Sequence, residues 1–305
     1  MNKKILALCI IPLLCGVFFI SVFTKKHEIK IPNYNYDINS VEPMPIIKDD
    51  PYSKLAHGGS PVENRNIDVR RWLSAGVKIS VKGSSGSGTI VYYDSGSGYA
   101  YVQSCGHLWS GNMTAVEGEL KKLTCEIITW YHNDKKLENT KTYPAEVLYY
   151  INNRGQDCSL VRFKPDWVPD YFAISPSGFR FVPDTYLHSV GCDGGREIAH
   201  YDVRVLGERD VDVITTENSP RPGRSGGGLM SDDYYVGVCW GTTDLTGSGN
   251  GLFTPLKVVR ELNTKNGYGW LNDVGLSWAR KLPIIDRNNP QGQYPPDYIP
   301  LPKSN

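Results

Sequence analysis

An all-β fold, a barrel or a sandwich, is predicted by three features of the sequence. Short β-rich runs recur at 77–81, 89–93, 99–103, 125–131, 143–151, 158–163, 186–191, 201–206, 211–215 and 235–240. Turn residues, mostly Gly, Ser, Asn and Pro, separate most of these runs, as in closed or packed sheets. The one persuasive helix is 255–263, where Leu256, Val259 and Leu262 recur at helical spacing.

The first runs show the pattern best. VKISV at 77–81 alternates apolar and polar residues, the period of a half-buried strand. GSSGSG at 83–88 reads as a turn, TIVYY at 89–93 as a strand, DSGSG at 94–98 as a second turn and YAYVQ at 99–103 as a third strand. Segment 107–123 has room for a short helical turn.

The ends differ from this body. A basic head at 1–4 precedes 19 uncharged residues, 5–23, and Thr24, Lys25 and Lys26 follow at once. A helix of that length reaches ~28 Å, one hydrocarbon core, so the segment reads as an export signal or a membrane anchor. No small-residue cleavage site is evident around 19–25, which favours an uncleaved anchor and membrane association through 5–23. Either way the expected location is extracytoplasmic, secreted or membrane-anchored. Segment 27–71 is rich in Asn, Pro, Asp and Tyr and reads as a linker. Segment 281–305 carries Pro290, Pro295, Pro296, Pro300 and Pro302 and reads as an extended tail. The folded domain is therefore expected at 72–280.

Composition excludes some functions. The chain has 305 residues, 33 Lys+Arg and 32 Asp+Glu, so its formal charge of +1 argues against nucleic acid as a partner. Hydrophobic residues at 40% and charged residues at 21% suit a globular protein rather than a disordered one.

Chemistry concentrates in three places. PGRSGGG at 222–228 sets Ser225 among glycines, which let a backbone approach a substrate and aim N–H groups at an oxyanion. Ser/Gly runs are common in this chain, so the motif alone fits a flexible loop as well. The same residues fit the G-x-S-x-G elbow of α/β-hydrolases, but that family places its histidine after the serine. The histidines are His27, His57, His107, His132, His188 and His200, and none follows Ser225. His107, in SCGHL directly after strand 99–103, is best placed to face a cleft. His132 reads as a solvated turn residue, and His188 and His200 as surface or core histidines. Asp157, just before strand 158–163, is the candidate third group, although a turn or capping role is equally common for such a residue.

Together these segments resemble the chymotrypsin/trypsin-like serine peptidases, which share the order His107, Asp157, Ser225. SCGH resembles the family's histidine segment, DCSLVRF its aspartate strand and GRSGGG its serine loop. GSGTIVYYDSGSGYAYVQSCGH, 86–107, resembles the barrel opening of HtrA-type peptidases. VGVCWGTT, 236–243, resembles the strand beside the substrate cleft, and GLFTPLKVVRELN, 251–263, the strand and helix that close the domain.

The resemblance implies two perpendicular six-stranded β-barrels with the active site between them. It implies His107 as general base, Asp157 as its orienting partner, Ser225 as nucleophile, and the N–H groups of Gly223 and Ser225 as the oxyanion hole. Val238, Cys239, Trp240 and Gly241 are expected to pair with a polypeptide substrate. Ser219, six residues before the nucleophile, is expected at the floor of the specificity pocket, where a neutral residue disfavours Lys or Arg. Arg224 stands where cleavage-activated relatives carry an aspartate, which argues against activation by a new N-terminus. No PDZ-like segment is expected after residue 280.

The implied activity is a serine endopeptidase. The alternative is a catalytically idle barrel used for binding or assembly. No cofactor is implied, and no metal, because Cys-x-x-Cys and His-x-x-x-His spacings are lacking. Of seven cysteines, Cys9 and Cys15 lie in the apolar segment. Five remain in the body, Cys105, Cys125, Cys158, Cys192 and Cys239, an odd count that leaves at least one thiol free. The family has mostly small residues at the positions of Cys105, Cys158 and Cys239, beside the motifs, so these are expected as buried free thiols. A Cys105–Cys125 disulfide is suggested by sequence proximity alone.

Overall fold

A computed structural model describes residues 69–112, 123–133, 135–153, 155–209, 213–217, 219–244 and 249–274. The expected anchor, nearly all of the linker and the Pro-rich tail lie outside these residues. So does the 113–122 part of the suggested helical turn. Among the described residues no helix is long and apolar enough to cross a membrane.

Twelve strands form two closed antiparallel barrels of six. The first contains β1 (Gly76–Val81), β2 (Ser84–Asp94), β3 (Tyr99–Ser104), β4 (Thr124–His132), β5 (Lys135–Ile151) and β6 (Cys158–Phe163), in the order β1-β2-β3-β6-β5-β4. The second contains β7 (Tyr186–Cys192), β8 (Ile198–Arg209), β9 (Val213–Thr216), β10 (Gly228–Met230), β11 (Tyr235–Thr242) and β12 (Gly251–Pro255), in the order β10-β11-β12-β9-β8-β7. β1 closes the first barrel against β4, with Ile79 opposite Ile127. β7 closes the second against β10, with Ser189 opposite Leu229. Register shifts at Ile90/Tyr92, Val147/Tyr149 and Val205/Gly207 give the bends that closure needs.

Each barrel is filled by its inward apolar residues. Val77, Ile79, Ile90, Val102, Ile127 and Val161 are fully buried in the first. Leu187, Val205, Ile214, Leu229 and Phe253 are buried in the second. Each such side chain contributes about 1.5–3 kcal/mol of burial free energy.

Two helices flank the barrels. α1 (Arg70–Leu73) begins inside the expected linker and buries Trp72 and Leu73, so the packed body includes residues before 72. α2 (Leu256–Lys265) buries Leu256, Val259 and Leu262 as the helical spacing predicts. It also ties back to the first barrel, where the Tyr149 hydroxyl donates to Asn263 Oδ1 at 2.6 Å.

Three expectations need correction. Segment 83–88 is not a turn: only its first residue is, and Ser84 already opens β2. Its small residues serve a close approach between barrels. Ser87 N–H donates to the Ser225 carbonyl at 2.7 Å, and a Cβ on Gly86 would come within 2.8 Å of that same oxygen. β5 begins eight residues earlier than the run at 143–151, because its first half, Lys135 onward, is exposed and carries no apolar alternation to read. Cys105 and Cys125 are both free thiols. Cys105 follows β3 and Cys125 lies on β4, strands that are not neighbours in the barrel.

Candidate active site

His107 opens a short 3-10 helix, His107–Asn112, directly after β3. The chain before it must be small, because a Cβ on Gly106 would lie 3.0 Å from the Cys158 carbonyl and closer still to the Ile151 carbonyl. Ser159 Oγ donates to the Cys105 carbonyl at 2.8 Å and Ser104 Oγ to the Ser87 carbonyl at 2.7 Å, which fixes the segment at both edges.

Asp157 sits at the entry to β6 and is buried. Its Oδ1 accepts the N–H groups of Gly106 at 2.5 Å and His107 at 2.8 Å. Its Oδ2 lies 2.5 Å from His107 Nδ1. A carboxylate only accepts, so Nδ1 carries the proton and Nε2 keeps the lone pair in the neutral ring. Thr254 Oγ1, on β12 of the second barrel, donates to the Asp157 carbonyl at 3.0 Å, so both barrels hold this residue.

Burial lowers the His107 pKa, but the hydrogen bonds and charges around the ring outweigh it and raise the value to about 10. Asp157 is the partner that acts near neutrality. Burial pushes the Cys105 thiol up, so it is uncharged there and brings no anion to the ring. Cys105 Sγ lies 3.8 Å from His107 Nε2. Cys105, His107 and Asp157 thus cluster, but Asp157 and Cys105 approach different nitrogens of the ring. One ion cannot ligate through both nitrogens, and Asp157 instead orients the ring by holding Nδ1–H.

Ser225 lies on the loop between β9 and β10. Its carbonyl accepts from Ser87 N–H, and Gly226 N–H donates to the Cys239 carbonyl at 2.7 Å. A Cβ on Gly226 would meet Ser87, Ser104 and, at 3.1 Å, the Cys105 nitrogen, so the loop passes against the chain two residues before His107. The structure therefore joins His107 and Asp157 directly and brings the serine loop to the same seam.

The peptide before Gly223 has a fixed direction. The Pro222 carbonyl accepts Gly194 N–H at 2.6 Å. In a trans peptide C=O and N–H point opposite ways, so Gly223 N–H is directed away from Gly194. This needs φ +91 at Gly223, a value that favours glycine. Among the described residues neither the Gly223 nor the Ser225 N–H has an acceptor.

Behind the loop, Arg224 is 2% exposed. Its Nε donates to Asp193 Oδ1 at 2.8 Å and a terminal nitrogen to Oδ2 at 3.3 Å. The other terminal nitrogen donates to the Ser189 carbonyl at 3.1 Å. Tyr201 stacks 4.2 Å from the guanidinium and donates to Asp193 Oδ2 at 2.7 Å. Burial raises the Asp193 pKa, but Arg224 and Tyr201 more than offset this and hold it below the ordinary carboxylate value.

At the start of the serine loop, Ser219 Oγ lies 2.6 Å from Thr242 Oγ1, so this residue meets the end of β11. Val238 and Cys239 are buried; Val238 pairs with Gly228, and Cys239 exchanges bonds with Gly226 and Gly227. β10 starts only at Gly228, so among the described residues the β10-side edge of β11 is unpaired from Trp240 to Thr242. The stretch open to an added strand is thus shorter than 238–241 and displaced toward its C-terminal end.

Sequence reasoning missed Asp193, Ser87 and Tyr201. Ser87 carried a weak signal in the Gly/Ser run. Asp193 carried none, because its role arises from a partner 31 residues away. The five described cysteines are free and buried, and burial pushes Cys158, Cys192 and Cys239 up to about 12.

No family model and no curated protein matches the chain. Among solved structures, a serine endoprotease from Yersinia pestis matches at 17% identity with a TM-score of 0.49, over 65% of this chain and 64% of that one. An inactive form of the Rv3671c protease matches at 19% identity and TM-score 0.48, over 68% of this chain and 98% of that one. An inactive serine-to-alanine mutant of Rv3671c from M. tuberculosis H37Rv matches at 18% and TM-score 0.48, over 73% and 96%. The chain thus spans just under two thirds of the Yersinia protein and nearly all of the other two. The fold itself rests on the strand order, two closed antiparallel six-stranded barrels, the architecture that the resemblance implies.

Proposed function

We propose that this protein is a serine endopeptidase that cleaves peptide bonds through an acyl-enzyme on Ser225. The observation that carries this reading is the His107 Nδ1–Asp157 Oδ2 contact of 2.5 Å, set beside a serine loop with two unengaged N–H donors. His107 Nε2 accepts the Ser225 hydroxyl proton as Oγ attacks the scissile carbonyl. Asp157 holds the tautomer and stabilises the imidazolium that forms. The carbonyl oxygen gains its charge against Gly223 and Ser225 N–H, each contributing roughly 3 kcal/mol. His107 then returns the proton to the leaving amine, and a water activated by the same base hydrolyses the ester.

The Arg224–Asp193 pair supports a loop ordered without any new N-terminus. The open edge at 240–242 supports binding of an extended peptide as an added strand. The neutral Ser219 supports a small or apolar side chain at the cleaved bond rather than Lys or Arg. The uncharged segment 5–23 supports an extracytoplasmic site of action.

A peptide-library cleavage assay tests the reading. Cleavage after small or apolar residues, lost in Ser225→Ala, is expected. Equal cleavage by Ser225→Ala overturns it.

A further inference from the structure

Three side chains of the second barrel converge on its β7–β8 pair, outside the proposed catalytic group. His188 stands directly opposite Asp202, and His200 lies two residues before Asp202. Alternation along a strand puts all three on one face. His188 Nδ1 is 3.1 Å from His200 Nε2 and 3.1 Å from Asp202 Oδ1, and the last two are 3.5 Å apart. The other nitrogen, His188 Nε2, is 3.0 Å from Asp232 Oδ1, in the turn between β10 and β11. Trp72 of α1 stacks on both rings, with centroids 3.8 Å from His188 and 5.1 Å from His200.

A carboxylate has no proton to give, so the proton between His188 and Asp232 belongs to Nε2. In the neutral ring Nδ1 then offers its lone pair on the side of Asp202 Oδ1 and His200 Nε2, and the three residues present one ligand atom each to a common point.

The spacing identifies the class of ion. Ligands about 2.0–2.1 Å from a tetrahedral metal lie about 3.3–3.4 Å from one another. The observed edges of 3.1, 3.1 and 3.5 Å bracket that value. Two imidazoles and one carboxylate suit zinc or a similar transition metal rather than calcium or magnesium. The His188–Asp232 contact is the carboxylate–histidine arrangement that orients a metal-bound ring.

We propose that His188, His200 and Asp202 bind one Zn²⁺-class ion, with Asp232 orienting His188 and water completing the tetrahedron. The side chains of His188, His200 and Asp202 are 1%, 9% and 14% exposed, so the ion would sit largely enclosed between the two strands. The ion clamps β7 to β8 on one face of the strand whose next residue, Ser189, holds Arg224.

The test is titration of metal-free full-length chain, carrying Ser225→Ala to prevent self-cleavage, with ZnCl₂ by calorimetry and with Co²⁺ by absorption. One equivalent is expected, with a thermal midpoint raised by about 5–10 °C at about 100-fold excess over Kd. Asp202→Asn and His200→Ala lose that equivalent, Asp232→Asn weakens it about 10–100-fold, and His107→Ala keeps it. The isosteric Asp202→Asn carries the test if His200→Ala does not fold. Absence of binding overturns the proposal, since a proton alone then fills the triangle. So does binding that survives both ligand variants, or a Co²⁺ spectrum with a thiolate band that vanishes in His107→Ala, which assigns the ion to Cys105.

Discussion

Arg224 and Asp193 form an ion pair of 2.8 Å directly behind the serine loop, and Arg224 is almost wholly buried. The guanidinium is the side chain next to Ser225, so the pair sets the loop's position from inside the protein. Removing one partner leaves an uncompensated charge, which costs about 3–5 kcal/mol where burial is complete. Asp193→Asn and Arg224→Met are therefore expected to lower stability by up to that amount and to cut kcat. Arg224→Lys restores charge but not the fork and recovers only part. Urea melts and steady-state kinetics on the three variants check this.

The same pair predicts acid sensitivity. The folded pKa of Asp193 is depressed, so its contribution to stability is full above the unfolded carboxylate value, about 3.9, and is lost as pH falls through the lower folded value. In melts between pH 5 and 2, wild type is expected to lose stability more steeply than Asp193→Asn.

In the proposed mechanism His107 sets the pH profile of catalysis. Its pKa is raised above 6.5, and only the neutral ring accepts the serine proton, so the acid limb of kcat/KM is expected above pH 6.5. Asp157→Asn is expected to move that limb toward acid and to lower kcat about 10⁴-fold through the wrong tautomer. In the stability of the folded chain the sign is opposite. The raised His107 pKa contributes fully below about pH 6.5 and fades as pH rises toward about 10. Rate–pH profiles of both proteins, with melts alongside, decide the matter.

The proposed oxyanion loop depends on Gly223. A Cβ there would lie 2.6 Å from the Cys192 carbonyl, at a φ of +91 that other residues rarely adopt. Gly223→Ala is expected to rotate the peptide and lower kcat by about 10²–10³-fold, with a smaller change in KM. Unchanged kcat in the variant sinks the assignment of that donor.

Pocket preference is expected to follow Ser219. Ser219→Asp places a carboxylate where the Oγ now lies 2.6 Å from Thr242 Oγ1. Cleavage after Lys or Arg is expected to rise relative to Leu, read as a kcat/KM ratio on matched peptides.

Strong local chemistry made parts of this molecule legible in advance. Ser225, His107 and Asp157 sit in short motifs because close backbone approach admits only small neighbours such as Gly106 and Gly226. Strands with apolar alternation, such as Gly76–Val81, were equally visible. What stayed hidden depends on tertiary partners. Ser84–Gly88 looks like a turn because its small residues answer to the Ser225 loop across the barrels rather than to their own strand. β10, at Gly228–Met230, is too short to show a period. Asp193 and the His188–His200–Asp202 triangle exist only once β7 and β8 pair.

The central claim is tested most directly by mass spectrometry of the full chain after reaction with a fluorophosphonate. The account predicts one adduct per chain, mapped to Ser225, absent in Ser225→Ala and strongly slowed in His107→Ala. A folded wild-type chain that takes no label at Ser225 contradicts it and leaves the two barrels as an idle scaffold for binding.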